Sequence, residues 1–164
     1  MNILMTADPI GGVWTYALEL CAGFERHDIH VALATLGAPL SESQRLQTLA
    51  LRNVTLYEST YRLEWMHEPW DDLARAGDWL LDLESRLSPD LVHMNHLVHG
   101  DLSWNAPALI VGHSCVLSWW RAVRGTALPA NWSRYRAEVT RSLQAARSVV
   151  APTRALLVEL ERYY

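Results

Sequence analysis

With 164 residues, half of them hydrophobic and a fifth charged, the chain has the composition of one globular domain with a sizeable core, not of a disordered or fibrous protein. The formal net charge of −4 offers no general attraction to nucleic acid, and there is no run of about 18 apolar residues to span a membrane. The N-terminus lacks a basic region followed by a long apolar core, so no secretory leader is expected; Cys21 and Cys115, each inside an apolar run, predict buried reduced thiols and a cytoplasmic protein.

The chain opens with a short apolar run, Ile3-Leu4-Met5, of the kind that makes a buried strand. Gly11-Gly12 follow, and Val13, Tyr16, Ala17, Leu20, Cys21 and Phe24 then recur at helical spacing to about His27-Asp28. A strand, a glycine pair and a helix start form a platform for an anion or polar ligand. Glycine lets the backbone come close, and the first helical N–H groups have no internal partner.

Ile29–Thr35 reads as a second buried strand, broken at Gly37-Ala38-Pro39. Ser41 is the expected N-cap of a short helix over Ser43–Leu51, and Asn53–Tyr57 the third strand. Glu58 to Pro69 is irregular and carries Tyr61, Trp65 and Met66. A long helix fits Trp70–Leu87, with Leu73, Trp79, Leu80, Leu83 and Leu87 in its stripe, and Ser88-Pro89-Asp90 ends it. Leu91–Met94 and Ala108–Gly112 are the fourth and fifth strands. Trp119-Trp120 are followed by a loop expected to be irregular through Gly125 and Pro129, and the two tryptophans either pack beneath it or stack on a sugar. A helix over Trp132–Ala146 presents Trp132, Tyr135, Val139, Leu143 and Ala146 on one face. Ser148–Ala151 is a sixth strand, and Pro152-Thr153 cap a last helix from Arg154, whose Leu156, Leu160 and Tyr163 are expected to form an exposed apolar docking patch.

Strands of continuous apolar character alternating with helices predict a doubly wound α/β fold with a mainly parallel sheet covered on both faces. Ligands sit beyond the carboxyl ends of such strands, which picks out Asp8–Gly12, Asn95-His96 and His113-Ser114 as one rim.

Charge is uneven along the chain. All 14 basic residues are arginine, and from Leu102 onward eight of them (Arg121, Arg124, Arg134, Arg136, Arg141, Arg147, Arg154, Arg162) face three acids, Glu138, Glu159 and Glu161. Such a half suits a phosphorylated ligand or the inner face of an anionic membrane, and equally a solvated face of two helices.

Three chemistries are weak on their residues. A dinucleotide fingerprint needs three spaced glycines and an acid ending the second strand; here only Gly11-Gly12 are present and the strand runs into Thr35-Leu36-Gly37. Gly112-His113-Ser114-Cys115-Val116 approaches a nucleophile elbow but ends in Val116, with no later histidine to act as base. His93, His96 and His99, with Asp101 nearby, tempt towards a metal, but a strand end followed by a loop would scatter them, so no metal site is expected.

Four landmarks resemble family 4 glycosyltransferases of the GT-B type. They are Gly11-Gly12-Val13-Trp14-Thr15-Tyr16 after the first strand, Asp90-Leu91-Val92-His93-Met94-Asn95, Val111-Gly112-His113-Ser114, and Val149-Val150-Ala151-Pro152-Thr153. They run in the family's order across nearly the whole chain. The resemblance implies one Rossmann-like N-terminal domain over residues 1–164, half of a GT-B architecture. A C-terminal nucleotide-sugar domain, with its paired glutamates, would be supplied by the same or a companion chain. It implies a retaining transfer from a nucleotide sugar, needing neither metal nor other cofactor, to an acceptor bound by this half. Position by position, His113 matches the rim histidine beside the transferred sugar. Gly11 and Gly12 would lie near the donor diphosphate and acceptor, and Asn95 and His96 match acceptor-side positions. Trp14 departs from the small or acidic residue usual after G-G-V. The competing reading is a non-catalytic α/β module that binds an anion or docks a partner.

Overall fold

The computed structural model describes residues 1–126 and 128–164. Six strands are made by the apolar runs: β1 (Asn2–Ala7), β2 (His30–Thr35), β3 (Val54–Glu58), β4 (Leu91–Met94), β5 (Ala108–Val111) and β6 (Ser148–Val150). They form one sheet in the order β3-β2-β1-β4-β5-β6, and every pairing is parallel. Ile3 pairs with Val31 on one side and Leu91 on the other, so β1 is central and the winding direction reverses between β1 and β4. The α/β fold expected from the pattern is the fold found.

Side chains of β1 alternate between two cores, as the period of a strand requires. Ile3, Met5 and Ala7 pack with Trp14, Ala17 and Cys21 of α1 (Gly12–Glu25), while Leu4 points to the opposite face with Leu73, Ala76, Leu80 and Leu83 of α3 (Trp70–Leu87). Trp14, the residue out of family pattern, therefore belongs to the core: it is 6% exposed and its indole donates to Gln47 Oε1 at 3.1 Å. α2 (Glu42–Leu49) carries the cap expected at Ser41, closed as a reciprocal box with Gln44. The same Gln44 donates Nε2–H to Pro9 O at 2.7 Å, tying α2 to the glycine loop.

Two expectations fail. The loop expected after Trp120 begins later than read: Val116–Arg124 is a helix, α4, whose N-cap is the sulfur of Cys115, accepting from Ser118 N at 3.3 Å. A thiol is a weak acceptor and no ordinary cap signal. The left-handed Gly125 does end it in the usual way. After α5 (Ser133–Ala145), with Tyr135, Val139 and Ser142 buried, the last helix α6 (Arg154–Tyr163) shows no exposed Leu156–Leu160–Tyr163 patch. Leu160 is 2% exposed, and Leu156 and Tyr163 are partly buried against the main core. Leu160 fills the space a side chain would need at Gly112, where a Cβ would lie 2.6 Å from its Cδ1. Likewise a Cβ at Gly100 would stand 2.3 Å from Ser142 O, so the loop after β4 sits backbone-to-backbone on α5.

Among the described residues, no helix is long and apolar enough to cross a membrane.

Candidate functional site

A cavity of about 790 Å³ opens beyond the carboxyl ends of the strands. Asp8 after β1, Asn95 and His96 after β4, and His113 and Ser114 after β5 all line it, as does Gly12 at the first turn of α1. The rim picked out from sequence is thus one place. Of the residues assigned a site role, Gly11 is the exception. It is not on the lining; it supplies the φ of +75° that turns the chain into α1, a conformation costly for any side chain. The first turn of α1 contains no acid and its N-cap has no side-chain bond, so the positive end of that helix is uncompensated at the cavity.

Around His113 the hydrogen bonds have forced directions. His99 Nε2 lies 2.9 Å from Leu73 O, which can only accept, so Nε2 carries the proton. In a neutral ring His99 Nδ1 then accepts from His96 Nε2–H at 2.9 Å, and His96 Nδ1 accepts from the Thr6 hydroxyl at 3.0 Å. Thr6 Oγ1 takes Asn95 N–H at 3.0 Å, while Asn95 Nδ2 donates to Thr6 O at 2.8 Å. The amide oxygen of Asn95 is therefore turned to His113, whose Nε2–H donates to it at 2.8 Å. His113 is held as the Nε2–H tautomer, with Nδ1 left as an acceptor. Tyr16 fixes its ring plane by edge contact, with centroids 4.7 Å apart.

Burial keeps these imidazoles neutral. It pushes His93 down to about 4, His96 well below the usual histidine value, and His99 and half-buried His113 below it. The three histidines spaced along 93–99 do not converge. His96 and His99 bond each other, whereas His93 lies against Tyr16 and its Nε2 is buried without a partner.

The sequence did not single out Glu64, yet it lines the cavity at 4% exposure. Its Oε1 accepts from Leu97 N at 3.0 Å; its Oε2 is buried with no partner. Burial above all, with the Asp8 charge added, raises its pKa, and burial raises that of Asp8 too. Among the described residues no arginine lines this cavity. Its outer wall is aromatic, with Trp65 44% and Trp119 50% exposed and Trp120 and Trp132 beside them. The arginines gather instead in an adjoining groove of about 1250 Å³ that holds Arg121, Arg136, Arg141 and Arg162. Arg141 there is already paired with Asp101 and Glu138, and Arg162 with Glu159.

Sequence reasoning also missed Thr6, whose only signal was a hydroxyl interrupting the first apolar run, and Tyr16, which read simply as part of the apolar face of a helix. Glu64 stood as a lone acid between Leu63 and Trp65 in an irregular stretch, a signal visible only once the fold buries it.

Compared with known proteins, residues 10–164 match the family described as Glycosyltransferase Family 4. No curated protein sequence matches the chain. Among solved structures, Acinetobacter baumannii MurG superposes with a TM-score of 0.60 at 14% identity, over 94% of this chain and 42% of that one. The chain thus spans less than half the length of that structure. A Vibrio parahaemolyticus protein of unknown function, VPA0982, covers 94% of both chains at 15% identity with a TM-score of 0.40, too low to carry a likeness of fold.

Proposed function

The chain belongs to glycosyltransferase family 4, and from that premise we propose that it forms the acceptor-binding wall of a retaining glycosyltransferase and is inactive alone. The donor would be a nucleotide sugar held mainly by a second Rossmann-like domain, of the same or a companion chain, facing this cavity in a GT-B arrangement. One observation carries the reading: within a family match, the ends of β1, β4 and β5 bring Asp8, Asn95 and His113 into a single cavity at the point where the winding reverses.

In this reading His113 is the catalytic residue. Neutral and fixed as the Nε2–H tautomer, it offers Nδ1 to a hydroxyl of the transferred sugar. Gly12 and the free N–H groups of the first turn of α1 face the departing phosphate, where developing negative charge meets the helix dipole. Gly11 shapes that turn. Asn95 holds His113, and His96 holds Asn95 through Thr6, next to the acceptor. The chemistry needs no metal or other cofactor. The two free buried cysteines support a cytoplasmic protein, and α4, with Trp119 and Val123 exposed and Arg121 and Arg124 beside them, supports a peripheral contact with an anionic membrane face.

The test joins this domain to its donor domain and follows nucleotide release from UDP-glucose, UDP-N-acetylglucosamine and GDP-mannose with candidate acceptors. Acceptor-dependent release by the joined protein and none by the 164-residue chain is expected, with His113→Ala lowering turnover on the order of 100-fold. Absence of acceptor-dependent release from every donor, or full turnover in His113→Ala, defeats the reading.

A further inference from the structure

Resting on the transferase reading, the wall chemistry of the cavity narrows what enters it. Trp65 comes from the irregular segment before α3 and Trp119 from α4; both face the same cavity and both leave about half their surface open. Tryptophan faces of this kind stack on flat apolar groups and on the C–H faces of sugar rings. Deeper in, the polar groups are Asp8, Glu64, Asn95, His96 and His113, with Ser114 exposed at the edge. Two of these are carboxyl groups, and the imidazoles are kept neutral by burial. Among the described residues the lining contains no arginine, and the chain has no lysine. Beyond the N-terminus of α1, which the transferase reading gives to the departing phosphate of the donor, an anionic acceptor would lose its hydration, meet Asp8 and Glu64, and find no cationic side chain. A hydroxyl would find acceptors and donors at every side.

We propose that this tryptophan-walled cavity takes an uncharged, hydroxyl-bearing acceptor with an apolar ring or chain, and that it rejects anionic acceptors such as sugar phosphates. Trp119 and Trp65 then carry the apolar body and set specificity, while the carboxyl–imidazole floor holds the hydroxyl that is glycosylated.

The isolated chain tests this without any transfer. Phenyl phosphate shares the aromatic ring of phenyl β-D-glucoside and glucose 6-phosphate shares its sugar, and both add a phosphate charge, so calorimetric titration of the three reads the effect of charge against each half of the glucoside. Saturable binding of phenyl β-D-glucoside, at least tenfold tighter than of either phosphate, is expected, weakened fivefold or more in Trp119→Ala and in Trp65→Ala. Both indoles are half-exposed, so the variants keep the fold, which circular dichroism verifies. Equal or tighter binding of a phosphate, no saturable binding of the glucoside, or binding that survives both substitutions overturns the proposal. These outcomes are independent of the nucleotide-release assay: a transferase that takes phosphorylated acceptors loses this inference alone, and a glucoside-binding chain with no transferase activity loses only the reading it rests on.

Discussion

Acid should unfold this domain through its buried histidines, and His93 gives the size of the effect. In the native state burial holds His93 at about 4, against 6.5 for a free histidine. Between those values the unfolded chain binds a proton that the native state refuses, so stability is intact above 6.5 and is lost as the pH falls toward 4. At pH 4.5 that single group costs about 2–3 kcal/mol relative to pH 7.5, rising to about 3 kcal/mol or a little more once both states are protonated. His96 and His99, shifted in the same direction, add to the slope. Replacing His93 by leucine is the clean perturbation. The volumes are similar, and the exchange removes a buried nitrogen that has no partner, so the change at pH 7.5 should stay within about 1.5 kcal/mol. Urea unfolding followed by circular dichroism from pH 4.5 to 8 should show a shallower acid limb for His93→Leu, the variant gaining about 2–3 kcal/mol on wild type across that range. Parallel acid limbs, or a native-state NMR titration placing His93 near 6.5, would refute the argument that desolvation governs this ring.

Glu64→Gln keeps an oxygen for Leu97 N and removes a carboxyl that must ionise while buried. Because the native pKa is raised, its stability over wild type should be small at pH 4 and grow with pH until Glu64 is fully ionised; a difference that does not change between pH 4 and 8 would contradict this. The glycines should separate in the same way. Gly12→Ala adds a Cβ into open space and should leave the melting temperature unchanged or slightly higher, while nucleotide release by the joined enzyme falls. Gly100→Ala drives a Cβ into Ser142 O and Ile110 and should lose about 1–3 kcal/mol, measured by the same urea titration; a neutral result there means the loop after β4 yields more readily than its packing implies.

Most of the sheet was legible because parallel strands buried on both faces must be continuous apolar runs, and Leu4, Leu33, Val92 and Ile110 are all fully buried. The stripe of α3 was legible for the same reason, Leu73, Leu80 and Leu83 each facing the core. What could not be read depends on contacts between distant segments. Helix α4 escaped because its cap is a sulfur. The docking patch on α6 was misjudged because nothing local says that Gly112 leaves a hollow for Leu160. The rim followed from the rule for strand ends, but the tautomer of His113 needed Thr6, 89 residues from Asn95, to orient the amide between them. Glu64 became visible only when Leu97 N and Asp8 were brought beside it.

The fit of Leu160 into the hollow at Gly112 has a mechanical consequence. There is no side chain at Gly112, and Leu160 Cδ1 sits where one would be, against the backbone just after β5 and one residue before His113. A displacement of α6 would have to be taken up by the backbone leading to His113 or by Leu160 leaving its hollow.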